Sequence, residues 1–91
     1  MYALVWTRRF TRAAEKFTKH HGGLRKKFAE ILRDLEHDPF QPHLKCHHLG
    51  GKLKGMQSIS ISKSYRITLT VVVADKEIIL LDVGSHDEVY R

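Results

Sequence analysis

The sequence predicts an α+β domain: an N-terminal strand, a two-helix antiparallel hairpin, then a three-stranded antiparallel meander, with the helices packed on one face of the sheet. Three observations carry this. Two segments with apolar residues at helical spacing flank Gly22-Gly23. From Ser58 onward, three β-patterned runs follow one another with only short turns between them. A short β-prone run precedes the helices.

In that first run, Tyr2, Leu4 and Trp6 fall on one side and Ala3 and Val5 on the other. From Arg8 the period changes. Phe10, Ala13, Ala14 and Phe17 recur at helical spacing with Arg, Lys and Glu between them, which predicts an amphipathic helix over Arg8–His20. Gly22-Gly23 ends it, as glycine commonly does just past a helix C-terminus. Leu24, Phe28, Ile31, Leu32 and Leu35 then form a single buried stripe on a second helix. Asp38-Pro39 stops that helix, because proline disfavours the helical conformation in the residue before it. Phe40 to Gly55 reads as a basic loop punctuated by Pro42, Gly50, Gly51 and Gly55. In Ser58–Ser62 the alternation turns Ile59 and Ile61 to the core and the serines away from it. In Tyr65–Val73, Tyr65, Ile67, Leu69 and Val71 share a side, opposite Arg66, Thr68 and Thr70. Ala74-Asp75-Lys76 is a turn, and the nearly all-apolar Glu77–Val83 suits a central strand.

With 91 residues the chain is expected to form one domain, residues 1–91, with one modest core. Its longest apolar runs fall far short of the roughly 20 residues a membrane helix needs, so no membrane partner is expected. Arg8 and Arg9 interrupt the apolar start of the chain, which does not read as a signal peptide. One cysteine, Cys46, leaves no internal disulfide, and the expected compartment is the reducing cytoplasm. A net charge of +6 implies an acidic partner: nucleic acid, an anionic surface or an acidic protein.

Chemistry-bearing residues gather in two places. The last residues, Val83-Gly84-Ser85-His86-Asp87-Glu88-Val89-Tyr90-Arg91, put a histidine and a tyrosine after an apolar strand. The segment His47 to Gly55 joins imidazoles, glycines and lysines, with Lys52 and Lys54 suited to phosphate. Strand parity puts Arg66 and the serines on the sheet face away from the helices, from which the His86 tail also leaves. No phosphate-binding glycine loop and no serine-hydrolase elbow is present. Cys46-His47-His48 lacks a second ligand pair at zinc spacing, so neither a metal nor another cofactor is expected. If the acidic partner is RNA, cleavage through the ribose 2′-OH needs a base, an acid and a cation. His47 and His86 suit the first two roles by type, Tyr90 is a possible further proton-transfer group, and Arg66 suits the third.

Several ordered segments resemble toxins of the RelE/ParE superfamily, nearest their YafQ-like branch. They are Asp38-Pro39-Phe40, Pro42-His43-Leu44, His48-Leu-Gly-Gly-Lys-Leu-Lys-Gly55, Ser64-Tyr-Arg-Ile67 and Leu80 to Tyr90. The resemblance implies a RelE-like fold and a small ribosome-dependent, metal-independent mRNA endonuclease, held inactive by an acidic cognate antitoxin. Its implied partners are mRNA in the ribosomal A site and 16S rRNA, with operator DNA reached only through the antitoxin complex. By resemblance His86 is the catalytic histidine, Tyr90 the aromatic residue closing its motif, His47 the histidine before the glycine loop, and Arg66 the strand arginine. Lys52, Lys54, His48, Ser60, Lys63, Ser64 and Arg91 make up the implied RNA-binding set. The chain departs from the branch at Ser60 and Ser64, where YafQ-like toxins place a histidine and an aspartate, and at Tyr65, where they carry tryptophan. Two alternatives stay open: a ParE-like DNA gyrase inhibitor acting by protein binding, and a catalytically weakened toxin that only binds its antitoxin.

Overall fold

Phe10, Phe17, Phe28 and Leu35 decide how the two helices sit. In the computed structural model, which describes residues 1–90, strand β1 (Ala3–Trp6) leads into helix α1 (Arg8–His20). A 3₁₀ turn over Gly22–Leu24 then joins α1 to helix α2 (Arg25–His37). Phe17 meets Phe28 with ring centroids 5.6 Å apart, and Phe10 stacks on Phe28 at 6.2 Å. Full burial of such side chains contributes about 1.5–3 kcal/mol each. Thr7 fixes where α1 begins. Its hydroxyl accepts the Phe10 N–H at 3.1 Å and donates to the Leu80 carbonyl at 2.7 Å, so the N-cap also ties the helix to the sheet.

After Pro39, buried Leu44 anchors the connecting segment, and two strand residues that the sequence reads as loop, β2 (His47–His48), pair with β3 (Gln57–Ser60). Strands β4 (Tyr65–Val72) and β5 (Glu77–Ser85) complete the meander. The sheet order is β1-β5-β4-β3-β2, mixed rather than purely antiparallel, because β1 runs parallel to β5. β5 is thus a central strand, as its apolar run predicts. Ile59, Ile61, Ile67, Leu69, Ile78 and Leu80 face the helices and are almost fully buried, so the strand parity read from the sequence holds on the core side.

Two features depart from the simple meander, and both shape the C-terminal end. Thr68 pairs with Asp82 and Leu69 with Leu80, which leaves Leu81 as an extra residue on β5. This bulge shifts the phase of the strand, so that Leu80 and Val83, three positions apart, both reach the core. The second departure corrects an expectation: the sheet face away from the helices is not open. Helix α3 (His86–Val89) folds back against β4 and β5, and Ser58 and Thr68 on that face are 0% and 3% exposed. Among the described residues, no helix is long and apolar enough to cross a membrane.

Candidate active site

Cross-strand pairing brings the predicted groups into two neighbouring rows. Directly paired residues present their side chains to the same face of a sheet. One row is Ser60 on β3, Arg66 on β4 and Gly84 on β5. The next is His47 on β2, Ser58 on β3 and Thr68 on β4. His47 and Arg66 therefore lie on the face that α3 crosses, although 18 residues of sequence, β3 included, lie between them.

The turn from β5 into α3 is built by three residues. Ser85 is the N-cap, its hydroxyl accepting the Glu88 N–H at 3.3 Å, while the Glu88 carboxylate accepts the Ser85 N–H at 2.9 Å. Gly84 lets this turn close tightly on the strand: a Cβ there would lie 2.9 Å from Glu88 Oε1 and 3.2 Å from Glu88 Cβ. The four-residue spacing then puts His86 and Tyr90 on one side of the turn, ring centroids 4.3 Å apart in an edge-on contact. The Tyr90 hydroxyl donates to Ser58 Oγ at 2.9 Å.

These placements leave an open pocket of about 360 Å³ lined by His47, Leu49, Gly50, Leu53, Arg66, His86 and Tyr90. All four residues singled out as catalytic from the sequence border it, and none of its described lining residues is acidic. His47 Nδ1 lies 3.2 Å from the Lys45 carbonyl. A carbonyl only accepts, so Nδ1 carries the proton in the neutral ring and Nε2 keeps the free lone pair. His48 is placed differently. Gln57 Oε1 accepts the Val71 N–H at 2.9 Å, which orients the amide so that its Nε2 donates to His48 Nδ1 at 3.1 Å. His48 is thereby tied to Gln57, outside the pocket lining. The His86 ring is largely exposed, and the carboxylate of fully exposed Asp87 lies 3.8 Å from its Nδ1, too long for a hydrogen bond.

The remaining predicted residues that are described do not line the pocket. Lys52 and Lys54 are exposed at the 3₁₀ turn Gly51–Leu53, next to the pocket wall. Lys63 and Ser64 are exposed in the turn between β3 and β4. Ser60 is half-buried, and its hydroxyl donates to the Ser62 carbonyl at 2.9 Å. Arg91 lies outside the described residues. Cys46 is partly buried against the core, and burial pushes its thiol up, the opposite of what an activated nucleophile needs. Among the described residues no group of three or more His, Cys, Asp and Glu is arranged to hold a metal ion.

A larger cleft, about 560 Å³, opens between α1 and the C-terminal part of β5. Asp82 within it pairs with Arg9 at 3.0 Å, and none of the groups predicted from the sequence lines it. Sequence reasoning passed over Ser58, which parity alone assigns to an open face. A signal was present: Ser85 followed three residues later by Glu88 is a helix-start signature, and the helix it starts brings Tyr90 to Ser58.

No protein-family model matches the chain, and no curated protein matches it. Solved structures do. YafQ from Escherichia coli strain BL21(DE3) is similar over 100% of both chains, with a TM-score of 0.84 at 15% identity. A copper-bound mutant toxin from Helicobacter pylori gives a TM-score of 0.77 at 26% identity, over 99% of this chain and 100% of that one. The Escherichia coli DinJ–YafQ complex gives 0.72 at 16% identity, again over 100% of both chains.

Proposed function

From the RelE/YafQ-like toxin fold that the chain carries, we propose that it is the toxin of a toxin–antitoxin pair and cuts mRNA in the ribosomal A site through the ribose 2′-OH. The observation that carries this reading is the meeting of His47, Arg66, His86 and Tyr90 around one open pocket without an acidic lining residue. His47 Nε2 takes the proton of the 2′-OH as that oxygen attacks phosphorus. The P–O5′ bond breaks, and the His86 imidazolium gives its proton to the departing 5′-oxygen. The products are a 2′,3′-cyclic phosphate and a free 5′-OH. Arg66 stabilises the extra negative charge on the phosphorus-bound oxygens in between. Each proton transfer of this type contributes about 10²–10⁴-fold.

Lys52 and Lys54, beside the lining residue Leu53, and Lys63, in the turn before β4, serve as phosphate contacts for mRNA and 16S rRNA, and the +6 charge suits both RNA and an acidic antitoxin. The DinJ–YafQ complex, a relative bound to a second chain, supports the antitoxin as partner. Expression in growing cells tests the reading. The wild-type chain is expected to arrest growth with cut mRNA, and a folded His86→Ala variant to leave both growth and mRNA intact. Arrest with DNA breaks and whole mRNA would instead identify a ParE-like gyrase inhibitor.

A further inference from the structure

We propose that Ser58 is a positioning residue for His86 and acts through Tyr90. The inference rests on the reading of His86 as a proton-transfer group. Ser58 is fully buried on β3, where its hydroxyl accepts the Tyr90 phenol at 2.9 Å. A buried hydroxyl is costly unless bonded, so this contact is what makes serine acceptable at a strand position otherwise suited to an apolar side chain.

What the contact holds is the end of a very short helix. α3 has four residues, too few to be rigid without tertiary contacts. Its C-terminal end is fixed by buried Val89 and by the Tyr90–Ser58 bond. The Tyr90 ring in turn is the wall against which the His86 imidazole packs edge-on, at 4.3 Å and 77°. On β3, Ser58 pairs directly with His47. One hydroxyl thus sits beside the first histidine and, through a tyrosine, sets the place of the second. The phenolic proton of Tyr90 is committed to Ser58, so Tyr90 orients the imidazole and does not itself exchange protons with substrate.

The test compares wild type, Ser58→Ala, Tyr90→Phe and the double variant in single-turnover cleavage of ribosome-bound mRNA across pH. The same four proteins are followed by NMR titration of the His86 ring protons. Ser58→Ala and Tyr90→Phe are each expected to slow cleavage by about 10- to 100-fold, the loss that a small misplacement of a reacting group produces. Ribosome affinity should be unchanged, and the double variant should be no slower than the slower single one, because the two residues act as a unit. Both single variants should move the His86 ring signals in the same direction and leave those of His20 in place. Tyr90→Phe, at a half-buried position, preserves the test if Ser58→Ala does not fold. His86 signals that stay put, or losses that multiply in the double variant, would overturn the proposal. If no form of the chain cleaves mRNA, the ribonuclease reading fails, and the NMR arm still decides whether Ser58 sets the place of His86.

Discussion

At Gly84 the missing side chain is the reason the tail can close. An added Cβ meets Glu88 at both its carboxylate and its Cβ, and Glu88 is half of the capping box that starts α3. Gly84→Ala is therefore expected to cost about 1 kcal/mol, the usual worth of an N-cap interaction, and to lower cleavage more than stability because His86 moves with the turn. Thermal unfolding and cleavage rates, measured side by side, check this; an unchanged rate would mean that α3 tolerates the shift. Cys46 gives a second residue-level expectation. Burial raises its thiol pKa, so near neutral pH it should react with alkylating agents more slowly than a free thiol, and unfolding should restore ordinary reactivity. For the same reason this thiol's contribution to stability is complete below its unfolded pKa and is lost as pH rises from there through the raised folded one. Chemical type singled out His86, Arg66 and His47 in the sequence, and all three line one pocket. It gave no hint of Ser58, whose bond to Tyr90 depends on the helix folded over it, and it left His47 and His48 unseparated. The pairing of His48 with Gln57 separates them.

The helices were legible because burial leaves a periodic trace. Phe10, Ala14 and Phe17 on α1, and Phe28, Ile31 and Leu35 on α2, are buried as the spacing predicts, whereas Ala13, Leu32 and Leu24, which lies in the turn before α2, are only partly buried. Leu35→Ala should cost about 2–5 kcal/mol, a large share of the roughly 5–15 kcal/mol of a domain this size, as read by denaturant unfolding. β2 was not legible, since two residues cannot display a period. The bulge at Leu81 was hidden as well: a run in which nearly every residue is apolar does not reveal which of them face the core. α3 lies between these cases, announced by Ser85 and Glu88 but too short to show a stripe. Ser85→Ala should cost about 1 kcal/mol at α3 alone. Hydrogen exchange should then quicken at the Glu88 and Val89 amides and stay unchanged in α1 and α2; quickening throughout would tie α3 to global stability instead.

For the molecule as a whole, the fold and the charge argue from different physics. The fold follows from where apolar residues fall, and the order of the longer elements could be read in advance; that β1 joins the sheet beside β5, parallel to it, could not, because no local pattern encodes such a long-range pairing. The charge of +6 follows from composition and, on the proposed function, governs how the chain meets RNA. If Lys52, Lys54, Lys63 and Arg66 each neutralise one phosphate, log K should fall with log salt with a slope of about −3. Lys52→Ala should reduce that slope by about 0.7, and a slope near zero would exclude phosphate contacts as the source of affinity. The central claim is that His86, held over the sheet by α3, moves a proton in mRNA cleavage. The most direct measurement maps mRNA ends in a purified translation system, with and without ribosomes, for the wild-type chain and for His86→Ala. The account predicts new 5′-OH ends that require ribosomes and fall by at least about 100-fold in the variant. Equal cleavage by a folded His86→Ala protein would contradict it.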